Sequence, residues 1–191
     1  MTEEELIKLL QREDPDAFQE LVTAYSKRVY NLCLNFVELN EDAEDITQEV
    51  FITIFKSVNG FQGESQLSTW IYRITTNKCL EWIRAKKRKK RSGPLTGLYD
   101  QNSGFLKYDP ADKSHPGLIL EQKDKARVLF SAIRQLPENQ QTAYLLAKVE
   151  ERSYAEVAEI MEVSHSSVES LLFRAKQNLK TILKEYYDLH K

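Results

Sequence analysis

The sequence contains few of the residues on which most catalytic and metal sites depend. Its 191 residues include three histidines and two cysteines. Cys33 and Cys79 stand in apolar stretches and lack the Cys-x-x-Cys or Cys/His spacing of a zinc site. Two cysteines also cannot build a dense disulfide framework. We therefore expect no bound metal, no cofactor and no catalytic residue.

Long hydrophobic runs are missing as well. No run of about 18 uncharged apolar residues occurs, which argues against a membrane-spanning helix. Residues 1–5 are mostly acidic, and the apolar stretch of a secretory signal does not follow them. The sequence thus predicts a cytoplasmic protein whose own chain does not enter a membrane.

The apolar and polar alternation of a half-buried strand is absent over any useful length. Apolar residues instead recur at helical spacing over residues 18–36, 43–58 and 69–83, and again over 118–136 and 153–179. In the third stretch the apolar positions are Trp70, Ile74, Leu80 and Ile83. The expected fold class is all-α.

Glycine and proline are scarce outside one stretch. Four of the six glycines and three of the five prolines fall within residues 92–117, which have no sustained periodicity. Such a composition is typical of a flexible linker. Because a structureless loop of this length is improbable inside one compact domain, we expect two helical domains, at residues 1–91 and 118–191, joined by a linker at 92–117.

Charge is unevenly distributed along the chain. The total is nearly balanced, with 27 Lys and Arg against 29 Asp and Glu. Residues 1–60 carry 5 basic and 13 acidic side chains, whereas residues 61–91 carry 9 basic and 2 acidic ones. Seven positive charges fall within residues 84–91. Such a run favours a polyanion, because each neutralised phosphate releases counterions, although a solvated helix end has the same composition.

Two segments of the N-terminal half carry polar groups at helical spacing. Asp42, Asp45 and Glu49 share one face, with Gln48 beside them, opposite the apolar stripe. They lack the further ligands that a magnesium-dependent nuclease needs, so an acidic stripe that docks on a basic protein, or simple solvation, explains them better. The loop and helix at residues 61–77 combine aromatic, amide and guanidinium groups that suit single-stranded DNA, although a helical Trp is also common in protein cores.

Residues 153–179 have the layout of a helix-turn-helix. Ser153 and Glu156 form a capping box that begins one helix, and Ser164 can cap the next after a short turn. Small hydroxyl side chains on the second helix allow approach to base edges, while Arg and Lys contact phosphates. An ordinary helical hairpin with a solvated polar face is the alternative.

These separated motifs together resemble the extracytoplasmic-function sigma factors. Asp42–Phe51 and Phe61–Asn77 resemble the second conserved region of that family, and Leu136-Pro137, Tyr154–Met161 and Ser167–Lys176 resemble the fourth. The match covers nearly the whole chain except the linker. It implies a non-catalytic factor that binds core RNA polymerase and directs it to promoters through their −10 and −35 elements.

The resemblance implies roles for three groups of residues. The helix at Asp42–Phe51 would dock on the polymerase clamp helices, the loop and helix that follow would capture and separate −10 DNA, and the last helix would read the −35 element. The polymerase-docking residues are Asp42, Asp45, Gln48 and Glu49. The −10 residues are Gln62, Glu64, Ser65, Gln66, Trp70, Arg73, Asn77, Arg84, Lys86, Lys87 and Arg88. The −35 residues are His165, Ser166, Ser167, Glu169, Ser170, Phe173 and Arg174.

The sequence departs from the family at two of these places. Leu67 stands where the family often has Phe, and Glu169 stands where many members have Lys. A carboxylate at Glu169 can accept a hydrogen bond from cytosine N4 but repels phosphates. The family commonly has an anti-sigma partner, so one is expected here, and any membrane contact is expected only through it. A dimeric helix-turn-helix regulator of duplex DNA is the main alternative function.

Overall fold

Helices are the only regular secondary structure in the described part of the chain, so the predicted all-α fold is confirmed. The structure is a computed structural model that describes the backbone of residues 2–92 and 116–189 and the side chains of residues 2–89 and 124–188. The chain divides into two compact units. The predicted linker at 92–117 falls outside the described residues except at its two ends.

The described residues of the first unit form four α-helices and one short 3-10 turn. Helix α1 spans Glu3–Leu10, α2 spans Pro15–Phe36, α3 spans Asn40–Ser57, and α4 spans Leu67–Ser92, with the 3-10 turn Val58–Gly60 after α3. Helices α2, α3 and α4 pack against one another, and α1 lies against α2 and the 3-10 turn. The loop between the 3-10 turn and α4 therefore sits beside the end of α1.

The buried face of α3 follows the predicted apolar stripe. Ala43, Ile46, Val50 and Ile54, together with Val58 just after the helix, are each no more than 2% exposed. Because these positions recur every three or four residues, burying them leaves the acidic side of α3 directed outward. The prediction for this helix is confirmed.

The buried face of α4 differs from the predicted one. Trp70, Ile74, Leu80 and Ile83 are all only half-buried. Other apolar side chains, together with hydroxyl and thiol side chains, face the core instead, and Thr75 satisfies its hydroxyl by donating to the Ile71 carbonyl at 2.8 Å. An apolar pattern alone does not mark the hydroxyl and thiol side chains as buried. The buried residues of α4 are Leu67, Thr69, Ile71, Tyr72, Thr75, Thr76 and Cys79.

The two cysteines belong to this core. Cys33 on α2 and Cys79 on α4 are both fully buried free thiols. Burial, and then a hydrogen bond with Cys33, raise the pKa of the Cys79 thiol well above its ordinary value. A buried thiol of high pKa is a poor nucleophile, so the pair serves packing.

In the second unit, the part that the structure describes forms four α-helices with a π-helical turn among them. Helix α5 spans Pro116–Arg134, α6 spans Glu138–Tyr144 and continues into the π-helical turn Leu145–Val149, α7 spans Tyr154–Met161, and α8 spans His165–Leu189. Helix α8 packs against α5, α6 and α7. Within residues 2–92 and 116–189, none of the helices has both the length and the apolar character of a bilayer-crossing segment.

Helices α7 and α8 form the predicted helix-turn-helix pair. The Ser153 side chain accepts from the Glu156 amide while Glu156 reaches back to the Ser153 amide, which begins α7. The turn contains Glu162 in a left-handed conformation (φ 55°), and the Ser167 amide donates to Ser164 Oγ at 3.2 Å to cap α8. Val157 and Val168 are fully buried between the two helices and the rest of the unit.

Candidate functional surfaces

The outward side of α3 carries three of the four residues predicted to dock on polymerase. Asp45, Gln48 and Glu49 are exposed and lie within one turn of one another. Asp42 differs, because its carboxylate forms an ion pair with Lys86 of α4 and its side chain is only 15% exposed. The structure therefore keeps Asp42 apart from the other three.

The same side of α3 continues into an apolar end that the sequence prediction missed. Ile52 is 46% exposed and Phe55 is 45% exposed, one and two turns beyond Gln48. The Phe55 ring meets Phe18 of α2 edge-on, with 5.3 Å between the ring centroids. The sequence did contain a signal for this apolar end, because Ile52 and Phe55 are large apolar residues that lie outside the buried stripe of α3. We call Asp45, Gln48, Glu49, Ile52 and Phe55 the α3 face.

A pocket of about 340 Å³ opens at the start of α4. Five residues predicted to bind −10 DNA line it, from both the loop and the helix. Gln66 is exposed on the same loop but does not line the pocket. The structure therefore brings together residues that the sequence places up to eleven positions apart. The lining residues are Gly60, Phe61, Gln62, Glu64, Ser65, Trp70 and Arg73.

Two aromatic rings that contact each other line this pocket. Phe61 is buried and Trp70 is half-buried, and their ring centroids lie 4.9 Å apart at a tilt of 33°. Trp70 thus both packs in the unit and lines the pocket, so the two interpretations of this residue are compatible. Gly63 has φ +74°, a left-handed backbone conformation that glycine adopts without strain. Arg73 contributes a cationic group and Glu64 an anionic one to the lining, beside the amide of Gln62 and the hydroxyl of Ser65.

Helix α4 extends the pocket side as a polar and basic row. Asn77, Arg84 and Arg88 are exposed and follow Trp70 at 7, 14 and 18 positions, which places all of them on one helix face. Lys86 falls on the opposite side, where it pairs with Asp42 of α3. Lys87 is exposed between the two sides. Of the predicted −10 residues beyond the pocket, Asn77, Arg84 and Arg88 therefore form one row, and Lys86 and Lys87 lie outside it.

The start of α8 presents the predicted −35 residues. Ser166, Glu169 and Ser170 are exposed, and Phe173 is 65% exposed, which is high for a Phe side chain. The Arg174 Nε donates to the Ser170 carbonyl at 3.2 Å, which holds the guanidinium along the helix. Ser167 is half-buried and within 2.8 Å of the capping Ser164 hydroxyl, so it serves the turn.

A line of contacts connects α8 to the residues before α7. His165 Nδ1 lies 3.8 Å from Glu169 Oε1, and both side chains are more than half exposed. The His165 ring centroid is 5.9 Å from that of Tyr154, and Lys148 Nζ lies 5.6 Å from the centroid of Tyr154. Sequence reasoning missed Lys148 and Tyr154, because their contact depends on the π-helical turn and the bend after it.

The capping box of α7 also shifts the pKa of one of its own residues, Glu156. Hydrogen bonds from the Ser153 side chain and backbone, and then from Arg152, lower the pKa of Glu156 below its ordinary value. Arg152 Nη1 donates to Glu156 Oε1 at 2.9 Å.

Among the described residues, no group of three or more His, Cys, Asp or Glu side chains is arranged to hold a metal ion.

Comparison with known proteins decides the family. Residues 21–89 match the family described as Sigma-70 region 2, and residues 126–179 match Sigma-70, region 4. The ECF RNA polymerase sigma-E factor of Haemophilus influenzae is 32% identical over 184 residues, covering 94% of this chain and 94% of its own length. The RNA polymerase sigma-H factor of Pseudomonas aeruginosa is 30% identical, covering 95% and 93%.

The chain belongs to the extracytoplasmic-function sigma factors. It is therefore a promoter-recognising initiation factor that works with core RNA polymerase and binds promoter DNA, as the sequence predicted. Solved structures share its fold at 18% identity: CnrH with the cytosolic domain of CnrY has a TM-score of 0.66, over 96% of this chain and 97% of its own. RpoE of Bartonella quintana with NepR has a TM-score of 0.65, over 87% and 96%.

Proposed function

We propose that this sigma factor divides its work among three surfaces. The pocket at the start of α4 receives an unpaired base of the −10 element, the α3 face docks on the clamp helices of core polymerase, and the start of α8 reads the −35 element. The corresponding domains are residues 1–91 and 118–191, with residues 92–117 as the linker. The factor acts in the cytoplasm, where core polymerase is found, and has no catalytic activity of its own.

The pocket is the observation that carries this proposal. Besides the Glu64 carboxylate, its lining combines two aromatic rings, an amide, a hydroxyl and one guanidinium. A flipped nucleobase needs these groups, since it stacks on an apolar surface, exposes its Watson–Crick edge and brings a phosphate with it. The row of Asn77, Arg84 and Arg88 then offers a path for the strand on either side of the flipped base.

Charge and apolar area support the role of the α3 face. Carboxylates at Asp45 and Glu49 favour a basic partner surface, whereas Ile52 and Phe55 offer apolar area that no described residue covers fully. A helix with acidic side chains at one end and apolar ones at the other suits a paired helix more than it suits DNA, whose phosphates repel carboxylates.

The exposed residues of α8 support direct base readout in the major groove. Ser166 and Ser170 leave space for the helix to approach base edges, Phe173 can contact a thymine methyl group, and Glu169 can accept from cytosine N4. Guanine and thymine present acceptors at the equivalent positions and would leave the carboxylate unpaired, and adenine places its N7 acceptor beside the N6 donor, where it repels the carboxylate. We therefore propose a cytosine opposite Glu169.

An anti-sigma factor is the further partner that we infer. RpoE of Bartonella quintana, which shares the fold of this chain, was solved with the anti-sigma factor NepR, and CnrH, which also shares it, was solved with the cytosolic domain of CnrY. The α3 face is the surface of this chain that such a partner needs to cover in order to prevent polymerase docking. Contact with a membrane would arise only through that partner.

Permanganate reactivity of promoter thymines tests the pocket directly. The promoter is first mapped by run-off transcription of genomic DNA with the wild-type holoenzyme. Holoenzyme containing Gln62→Ala, a change on an exposed loop residue, is then compared with one containing Gln19→Ala on the outer side of α2. We expect reduced reactivity near the start site for Gln62→Ala only. Equal reactivity of both variants and the wild type would contradict the proposed pocket.

A further inference from the structure

Two side chains of the N-terminal segment reach the two ends of the pocket loop, residues 61–66. Gln11, which directly follows α1, donates from Nε2 to the Phe61 carbonyl at 2.9 Å. Glu3, the first residue of α1, accepts at Oε1 from the Leu67 amide at 3.0 Å. These hydrogen bonds join residues 50 and 64 positions apart in the chain. The N-terminal segment thus spans the loop from its first residue to the start of α4.

The groups that Glu3 and Gln11 satisfy have no alternative in regular structure. The Leu67 amide belongs to the first turn of α4, where no preceding helical carbonyl is available. A carboxylate at a helix N-terminus is also favoured by the helix dipole, and its hydrogen bond is charge-assisted. The Phe61 carbonyl leaves the 3-10 turn at the point where the chain enters the loop. Both contacts therefore fix the loop at places where the backbone would otherwise depend on water.

The loop contains little else that holds it in one conformation. Gln62, Gly63 and Glu64 are exposed, and Gly63 is the residue type with the greatest conformational freedom. The Ser65 hydroxyl makes a long contact of 3.4 Å with the neighbouring Gln66 carbonyl. Leu67, by contrast, is 1% exposed and anchors the start of α4 in the core. The order of the loop therefore depends on its ends.

The N-terminal segment is itself well fixed. Thr2 and Glu5 form a reciprocal capping box at the start of α1. Leu10 is 3% exposed and packs in the core of the first unit. The capping box and the buried Leu10 set the positions of Glu3 and Gln11 independently of the loop. The segment can consequently act as a support, because it does not rely on the loop for its own structure.

We propose that α1 is a brace for the −10 pocket and that Glu3 and Gln11 are positioning residues for recognition of single-stranded promoter DNA. The proposal rests on the proposed function of the pocket. Neither side chain lines the pocket, so each acts through the loop backbone. A loop that is already ordered binds its ligand without the entropic cost of ordering at the moment of binding. Loss of one brace contact is expected to weaken binding of the −10 strand about tenfold.

Three variants of the full chain test the brace. Gln11→Glu replaces the donor by an acceptor of the same shape, Glu3→Ala removes the acceptor, and Glu3→Gln keeps an acceptor oxygen without the charge. Glu4→Ala is the matched control, because Glu4 is exposed on the same turn of α1 and does not reach the loop. Hydrogen exchange across residues 61–68 of the free chain reports loop order. Holoenzyme affinity for the non-template −10 strand of the mapped promoter reports recognition.

We expect Gln11→Glu and Glu3→Ala to speed exchange of the loop amides and to raise the Kd for the −10 strand about tenfold. Glu3→Gln should fall between Glu3→Ala and the wild type, and Glu4→Ala should match the wild type. Assembly with core polymerase and affinity for −35 duplex DNA should not change. Unchanged exchange, faster exchange with unchanged Kd, or equal effects of Glu4→Ala would each overturn the brace.

A different result would contradict the proposed function of the pocket itself. If Gln62→Ala leaves the Kd for the −10 strand unchanged while the wild-type holoenzyme binds that strand, the pocket is not the binding site. Faster loop exchange in the Glu3 and Gln11 variants would then still measure the brace contacts, but those contacts would support a loop without a role in recognition. That combination would overturn the positioning role.

Discussion

Lys86 of α4 forms an ion pair with Asp42 in the first turn of α3. The sequence motifs had assigned these two residues to different partners, Asp42 to polymerase and Lys86 to promoter DNA. In the structure each has the other as a neighbour, and Asp42 is the more buried of the two. This ion pair links the basic end of α4 to the first turn of α3. The acidic surface of α3 and the basic surface of α4 therefore meet at this point.

The ion pair predicts unequal contributions of neighbouring lysines to DNA binding. Lys86 can contact a phosphate only if its ion pair with Asp42 breaks. Lys89 is exposed on the same helix and is a suitable comparison. We expect Lys89→Gln to reduce the slope of log K against log salt for the −10 strand by about 0.7, and Lys86→Gln to reduce it by less. The measurement is a salt titration of holoenzyme binding. Equal changes in slope for both variants would show that Asp42 does not restrain Lys86.

The α3 face predicts loss of polymerase binding when its charge is reversed. Asp45→Lys combined with Glu49→Lys places two cations where a basic partner docks, so co-elution with core polymerase should be abolished. The exposed positions of both residues imply an unchanged thermal unfolding transition. Glu20→Lys, a charge reversal at an exposed position of α2, is the control and should assemble normally. Retained assembly of the double variant would refute the docking assignment.

Replacing Glu169 is expected to change which base the holoenzyme prefers at one position of the −35 element. We expect wild-type holoenzyme to select cytosine at one position of a promoter library randomised in the −35 element, because the carboxylate accepts from its N4 group. Glu169→Lys should replace that cytosine by guanine, with about tenfold discrimination or more. Glu185→Lys makes the same charge change on a later turn of α8 and should leave the preference intact. Selection of one and the same base by the wild type and Glu169→Lys would contradict direct readout by this side chain.

The capping box of α7 predicts a pH dependence of stability. The pKa of Glu156 is lowered in the folded chain by hydrogen bonds from Ser153 and then Arg152. A lowered folded-state pKa means that the stabilisation is fully present above about pH 5 and is lost as the pH falls below about 4. Ser153→Ala should cost about 1 kcal/mol of unfolding free energy at pH 7, and less at pH 3.5. Urea unfolding at both pH values measures this, and an equal loss at both would exclude the linkage.

Several features of the fold could be predicted because they repeat locally. The stripe from Ala43 to Ile54 recurs at helical spacing, and Ser153 with Glu156 forms a capping box within four residues. Local patterns of this kind depend on few neighbours, so the sequence carries them directly. The roles proposed for Gln62, Trp70 and Arg73 came from the family resemblance, whereas the residues themselves indicated only that the segment 61–77 suits single-stranded DNA.

Other features depend on contacts that no local pattern encodes. The core face of α4 includes Thr75 and Cys79, whose burial an apolar pattern does not mark. The contacts of Glu3 with Leu67 and of Gln11 with Phe61 join distant parts of the chain. Neither residue belongs to a motif, and acidic residues near an N-terminus are ordinarily solvated. These relationships required the tertiary structure.

Run-off transcription with purified components tests the central claim most directly. The full chain is mixed with sigma-free bacterial core polymerase and genomic DNA of its own source, and transcripts are mapped. We predict co-elution of the chain with core polymerase and new, defined start sites that core polymerase alone does not produce. Failure to bind core polymerase, together with a footprint of the chain alone on duplex DNA, would contradict the account and identify an independent duplex-binding regulator.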